Sequence, residues 1–179
     1  MTHITLAVTG SISAYKAADI TSQLTKLGFE VKVLMTPSAQ KFITPLTLQV
    51  LSKNQVGLDV MMEDDPQRIE HINIGKETDL FLVAPASANT IAKLAMGLAD
   101  NMVTSTALAL PQITKNLLGP GINTNMLEHP ATQRNLKLLQ DYGYQIIQPR
   151  DAVLACGDQG SGALATVDTI IQAVKENSL

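Results

Sequence analysis

Two stretches of this 179-residue sequence put small hydroxylated residues where a strand gives way to a helix. The first, Thr9-Gly10-Ser11-Ile12-Ser13, follows the apolar run Ile4 to Val8. Backbone N–H groups and the positive end of a helix dipole at such a turn suit a phosphate. Gly10 is its only glycine, so the GxGxxG spacing of a dinucleotide site is missing and a mononucleotide fits better. Ser11 or Ser13 would serve equally well as an ordinary helix cap. The second stretch, Pro85-Ala86-Ser87-Ala88-Asn89-Thr90, follows the run Leu80 to Ala84. A cap at Ser87 alone does not need Ser, Asn and Thr within four positions, so a second ligand cradle is expected there.

Three other side chains could move a proton or hold a carboxylate. An imidazole suits proton transfer near neutral pH, although His71, beside Glu70, reads locally as a surface histidine. Asn123 could bind a carboxylate without adding charge, and with Gly121 it is also an ordinary turn former. Cys156 is the single cysteine, which excludes an internal disulfide; a lone Cys is most often a small buried hydrophobe. Here its neighbours are Gly157, Gly160 and Gly162. His3, His71 and His129 are far apart and neither CxxC nor HExxH occurs, so no metal site is expected.

Composition narrows the setting. Hydrophobic residues make up 45% and charged residues 16%, with a net charge of -3. A low charge density is expected where surface is buried between subunits. There is no basic stripe, so nucleic acid is not expected as a partner. No apolar run reaches the roughly 18 residues of a membrane span, and the N-terminus does not read as a signal peptide. A cytoplasmic protein folded as one domain over residues 1–179 is expected.

The residues of interest must be positioned by alternating strands and helices. Strands are predicted at Ile4 to Val8, Val31 to Met35, Leu80 to Ala84 (ending at Pro85), Lys115 to Leu118 and Tyr144 to Ile147. Between them the spacing predicts helices over Ser13 to Leu27, Ala39 to Ile43, Pro45 to Ser52, Ser87 to Met96, Asn101 to Leu110 and Pro130 to Tyr142. A last helix is predicted at Val167 to Glu176, and Arg150 to Leu164 reads as a Gly-rich loop; Asn54 to Ile74 shows no clear periodicity. That alternation is α/β: a Rossmann-like or flavodoxin-like parallel sheet with helices on both faces. Ligands then bind at the carboxyl ends of the strands. Gly10 to Ser13, Thr36 to Ser38, Pro85 to Thr90 and the stretch near Asn123 should converge.

With these residues in order, the sequence resembles the homo-oligomeric flavin-containing cysteine decarboxylases along nearly its whole length. Thr9-Gly10-Ser11-Ile12 is similar to the family's FMN phosphate loop, Pro85 to Thr90 to its PxSANT motif, and Asp100-Asn101 to the pair that follows. His71-Ile72 resembles the active-site His motif. Asn123 to Asn135 resembles the PxMN motif and the helix after it, with Pro120-Gly121-Ile122-Asn123 standing where the family has Pro-Ala-Met-Asn. Ala155-Cys156-Gly157-Asp158-Gln159-Gly160-Ser161-Gly162 resembles the clamp of members acting on 4'-phosphopantothenoylcysteine.

The resemblance implies FMN held by Gly10, Ser11, Ile12, Thr36, Ser38, Phe42, Ser87, Ala88, Asn89, Thr90 and Gly121. It implies substrate binding by Asn123, Met126, Leu154, Ala155 and Gly157, and catalysis by His71 and Cys156. The implied reaction is decarboxylation of 4'-phosphopantothenoylcysteine to 4'-phosphopantetheine in coenzyme A biosynthesis. Loss of CO2 alone would leave an unstabilised carbanion. Oxidation of the thiol carbon by FMN gives a thioaldehyde that accepts the electron pair, and an enethiol results. Cys156, on a mobile loop, would supply the proton when the hydride returns. The family assembles as trimers, sometimes dodecamers, so His71 and Asn123 could come from neighbouring copies. A flavin prenyltransferase or a non-catalytic flavin-binding regulator are the alternatives. The first would not need His71 or the Cys156 clamp, and the second usually carries long acidic extensions.

Overall fold

The computed structural model describes residues 1–63, 65–153, 155, 157 and 159–178. Five strands form one parallel sheet: β1 (His3–Val8), β2 (Glu30–Met35), β3 (Leu80–Ala86), β4 (Lys115–Pro120) and β5 (Tyr144–Ile146). Their order is β2-β1-β3-β4-β5. The chain therefore leaves β1 for one edge and returns on its other side at β3. That reversal makes a switch point between β1 and β3, where the loops above the strands part and leave room for a ligand.

The strands are buried on both faces, which is why they are nearly continuous apolar runs. Alternate residues divide between two cores. Ile4, Leu6, Leu80 and Leu82 pack with Ile20 and Leu24 of α1 (Ala17–Lys26), Leu48 of α2 (Pro45–Ser52) and Ile170 and Val174 of α8 (Val167–Asn177). Ala7, Phe81 and Val83 face the opposite layer. There they meet α3 (Glu70–Glu77), α4 (Ala88–Met96), α5 (Met102–Leu108) and α7 (Pro130–Asp141) through Ile74, Ile91, Met102 and Leu139.

The predicted parallel α/β architecture is the observed one. Several local expectations are corrected. Residues Ile12–Lys16 form a 3-10 turn, with Ser11 as its cap, and α1 begins only at Ala17. β3 passes beyond Pro85 to Ala86, where pairing with Pro120 resumes after a register shift at the proline, which has no N–H for the ladder. α3 begins within the stretch that shows no clear periodicity and runs past its end, and a short helix α6 (Thr124–Glu128) follows Asn123. The expected loop from Arg150 to Leu164 holds an antiparallel pair, β6 (Arg150–Val153) and β7 (Gln159–Ala163).

Leu82 is fully buried at the centre of the sheet. Leu82→Ala is expected to lower unfolding free energy by about 2–5 kcal/mol, read from the urea midpoint at an unchanged slope.

Candidate functional site

The loop after β1 touches the ends of β2, β3 and β4. The buried Thr9 hydroxyl donates to Pro85 O at 2.7 Å and accepts from the Ser87 N–H at 2.8 Å. Gly10 lies against the turn after β2, since a Cβ there would meet the Ser38 Cβ at 2.6 Å. The Ser11 hydroxyl donates to Gly121 O at 2.7 Å, beyond β4, and accepts from the Ser13 N–H at 3.2 Å. Three consecutive small residues thus hold four loops together.

Above this floor is a cleft of about 690 Å³, within the usual range for small-molecule sites. Gly10, Ser11, Ile12, Thr36 and Ser38 line one side, and Ser87, Ala88, Asn89 and Thr90 the next. Ser87 caps α4 by accepting from the Thr90 N–H, so the capping role and the cradle coincide. Asp100 and Asn101 also reach the wall. Asn101 caps α5 in a reciprocal box with Thr104. The hydrogen bond from Lys93 holds the Asp100 carboxyl below its ordinary range. Gly121, Asn123 and Met126 close the β4 side, and the β6–β7 hairpin adds Ala155 and Gly162.

The hairpin's glycines are packing surfaces. A Cβ on Gly160 would meet Thr124 Oγ1 at 2.4 Å, and Gly162 accepts the Ile122 N–H through its carbonyl at 2.9 Å. Gly160 and Gly162 thus pack against Thr124 and the chain before α6, while Gly157 has φ +90. Asn123 caps α6, its Oδ1 accepting from the Asn125 N–H.

Some expected site residues lie elsewhere. Leu154 and Cys156 fall outside the described residues. Gly157 does not line the cleft of its own chain, and Phe42, half-exposed at the end of a 3-10 turn, does not either. His71 sits on α3, away from this cleft, with a buried Nδ1 that has no hydrogen-bond partner among the described residues. Sequence reading missed Thr9 as a structural bridge and Lys16 and Arg150 as cleft residues. For Thr9 the signal was its position at the end of β1. For Lys16 and Arg150 there was none.

Fold and cleft together define an α/β protein with a cleft of mononucleotide size at its switch point. Gly10 and Gly121 line the cleft and let its loops pack closely, since Cβ atoms there would strike Ser38 at 2.6 Å and Pro85 at 3.0 Å, so the lining stays small, hydroxylated and rich in main chain. The residues present therefore fit a flavin nucleotide. The chain belongs to the flavoprotein family, which matches residues 1–179. It is 63% identical over 173 residues to a probable phosphopantothenoylcysteine decarboxylase of Streptococcus mutans, covering 97% of each chain. It is 42% identical over 175 residues to the coenzyme A biosynthesis bifunctional protein CoaBC of Bacillus subtilis, covering 98% of this chain and 43% of that one. Among solved structures it is similar to a PPC decarboxylase Cys-to-Ser mutant complexed with pantothenoylaminoethenethiol. The TM-score is 0.88 at 30% identity, covering 98% and 97% of the two chains. The FMN-dependent cysteine decarboxylase SpaF matches at TM-score 0.85 and 26% identity, covering 100% and 98%.

Thr9→Val removes a buried donor and acceptor while keeping the shape. A stability loss of about 2–4 kcal/mol is expected from the two stranded main-chain groups, together with weaker flavin retention on dialysis. Thr9→Ser should retain most of both. A Thr9→Val protein with wild-type melting and full flavin content would show that the bridge is not needed.

Proposed function

We propose that this protein catalyses the FMN-dependent decarboxylation of 4'-phosphopantothenoylcysteine to 4'-phosphopantetheine in coenzyme A biosynthesis, via thioaldehyde and enethiol intermediates. The observation that carries this reading is convergence. Both hydroxylated cradles, Asn123 and the hairpin line one cleft although they span positions 10 to 163. The full-length similarity to a probable phosphopantothenoylcysteine decarboxylase supports the substrate. A complex of a PPC decarboxylase mutant with pantothenoylaminoethenethiol supports an enethiol on the path.

Gly121 and Ser87 to Thr90 would hold the flavin, and Gly10, Ile12 and Ser38 its phosphate. The Ser11 and Thr36 hydroxyls position that loop pair, since Ser11 is engaged with Gly121 and Thr36 accepts from the Ala39 N–H. When bound, FMN would supply the two-electron chemistry, taking a hydride equivalent from the sulfur-bearing carbon and returning it to the enethiol. Asn123, on the β4 side of the cleft, holds the substrate carboxylate. His71 moves the thiol proton through an imidazole nitrogen. Cys156 supplies the proton that completes reduction of the enethiol.

Because His71 does not line its own cleft, we place it at the cleft of a neighbouring copy. Leu46 and Val50, exposed and four apart on α2, with exposed Phe42 before the helix, offer apolar surface that supports assembly into a trimer, or into a dodecamer built of trimers. Light scattering from a monomer that binds FMN tightly and turns over would refute that placement.

The purified protein should be yellow and should release CO2 from 4'-phosphopantothenoylcysteine, with 4'-phosphopantetheine as the product by mass spectrometry. Cys156→Ser is expected to form enethiol yet at least tenfold less saturated product, a loss on the order expected for removing a general acid. Equal yields of 4'-phosphopantetheine from mutant and wild type would remove Cys156 from the mechanism.

A further inference from the structure

The described lining of the cleft carries four charged side chains: Lys16, Lys93, Asp100 and Arg150. Lys93 and Asp100 neutralise one another, with Nζ 2.5 Å from Oδ2. Among the described residues, neither Lys16 nor Arg150 forms an ion pair. They come from distant parts of the chain. Lys16 ends the 3-10 turn after β1, and Arg150 opens β6 at the root of the hairpin. The Arg150 Nε donates to Leu164 O at 3.2 Å, which fixes the guanidinium there through one of its five N–H groups.

The two cations feel each other. Burial first, and the Arg150 charge second, push the Lys16 ammonium below its ordinary range. The chain as a whole is acidic, with net charge -3, so this pairing does not follow from a generally basic surface. Two like charges lining one cleft, with no ion-pair partner among the described residues, are unfavourable, and an anion between them removes the cost.

We propose that Lys16 and Arg150 form a seat for a phosphomonoester dianion at the root of the hairpin. A guanidinium offers a planar fork of donors and an ammonium a compact charge, and a phosphate can accept from both. Under the decarboxylase reading, on which this inference rests, two molecules bring such a group to the cleft: FMN and the substrate. The recognition chemistry is the same for either.

Binding measurements on the full chain separate the sources. Lys16→Gln, Arg150→Gln and the double variant are compared with wild type. In one arm the flavin-free protein is titrated with FMN and with riboflavin, read by flavin fluorescence. In the other, the FMN-loaded protein is titrated with 4'-phosphopantetheine and with pantetheine by calorimetry. The double variant is expected to lose about 10- to 100-fold in affinity for the phosphorylated member of one pair and to bind its unphosphorylated partner unchanged. A loss in the first arm assigns the seat to the flavin phosphate, and a loss in the second to the substrate phosphate. Unchanged affinity for all four ligands would overturn the proposal, as would equal losses with and without phosphate. Lys16→Met keeps the aliphatic stem and serves as a second variant should Lys16→Gln fold poorly. Neither arm requires turnover. A wild-type protein that releases no CO2 would refute the decarboxylase reading and leave the comparison of FMN with riboflavin intact.

Discussion

The cleft depends on one hydroxyl. At the switch point β1 and β3 are neighbours, yet their connections leave in opposite directions and the ladder between them stops at Ala7 and Val83. Beyond it, Pro85 has no N–H to offer. Thr9 substitutes for the missing ladder bonds by donating to Pro85 O and accepting from the Ser87 N–H. A buried hydroxyl can do both at once, and no aliphatic side chain can do either. The Ser11 hydroxyl repeats the device one strand further on, to Gly121. Side chains thus tie the loops together from below, so the small residues and main chain above them can face a ligand.

That arrangement explains why the strand ends are built from Gly, Ser and Thr. Larger residues at Gly10 or Gly121 would meet Ser38 or Pro85 and push the loops apart. The hairpin is seated by the same logic. Gly160 and Gly162 let β7 lie directly on Thr124 and Ile122, which fixes the cleft's outer wall to the end of β4. Glycine here acts through the absence of a Cβ, and close approach is its purpose.

The strands and long helices were legible because burial imposes period and length. Leu80 to Ala84 reads as a central strand since both faces are covered, and α7 reads as a helix since Leu136 and Leu139 recur on one face. Both cradles were legible as ligand loops for a related reason, as their hydroxyls stand at strand ends. What stayed hidden was set by tertiary contact. α3 has eight residues and its N-cap, Ile69, makes no side-chain cap, so nothing local announces it. β6 and β7 pair only with one another, and their glycines are unfavourable strand formers until the contacts with Thr124 and Ile122 are known. Arg150 and Lys16 lie 134 positions apart, and no spacing rule joins them.

α3 also shows how the rigid scaffold bears on the proposed chemistry. The Thr78 hydroxyl donates to Ile74 O and meets the Thr5 hydroxyl at 2.7 Å, while Gly75 brings the helix close to Ala109 of the chain after α5. These contacts clamp α3 to the sheet, and with it His71. A local swing into the chain's own cleft would have to break this buried network, so a histidine held so firmly acts where it is placed. If His71 is the acid–base group, the neighbouring copy's cleft must come to it, and catalytic competence and assembly become the same property. A lone copy would retain the floor made by Thr9, Gly10 and Ser11 and could still hold the flavin, but it would lack the group that moves the thiol proton.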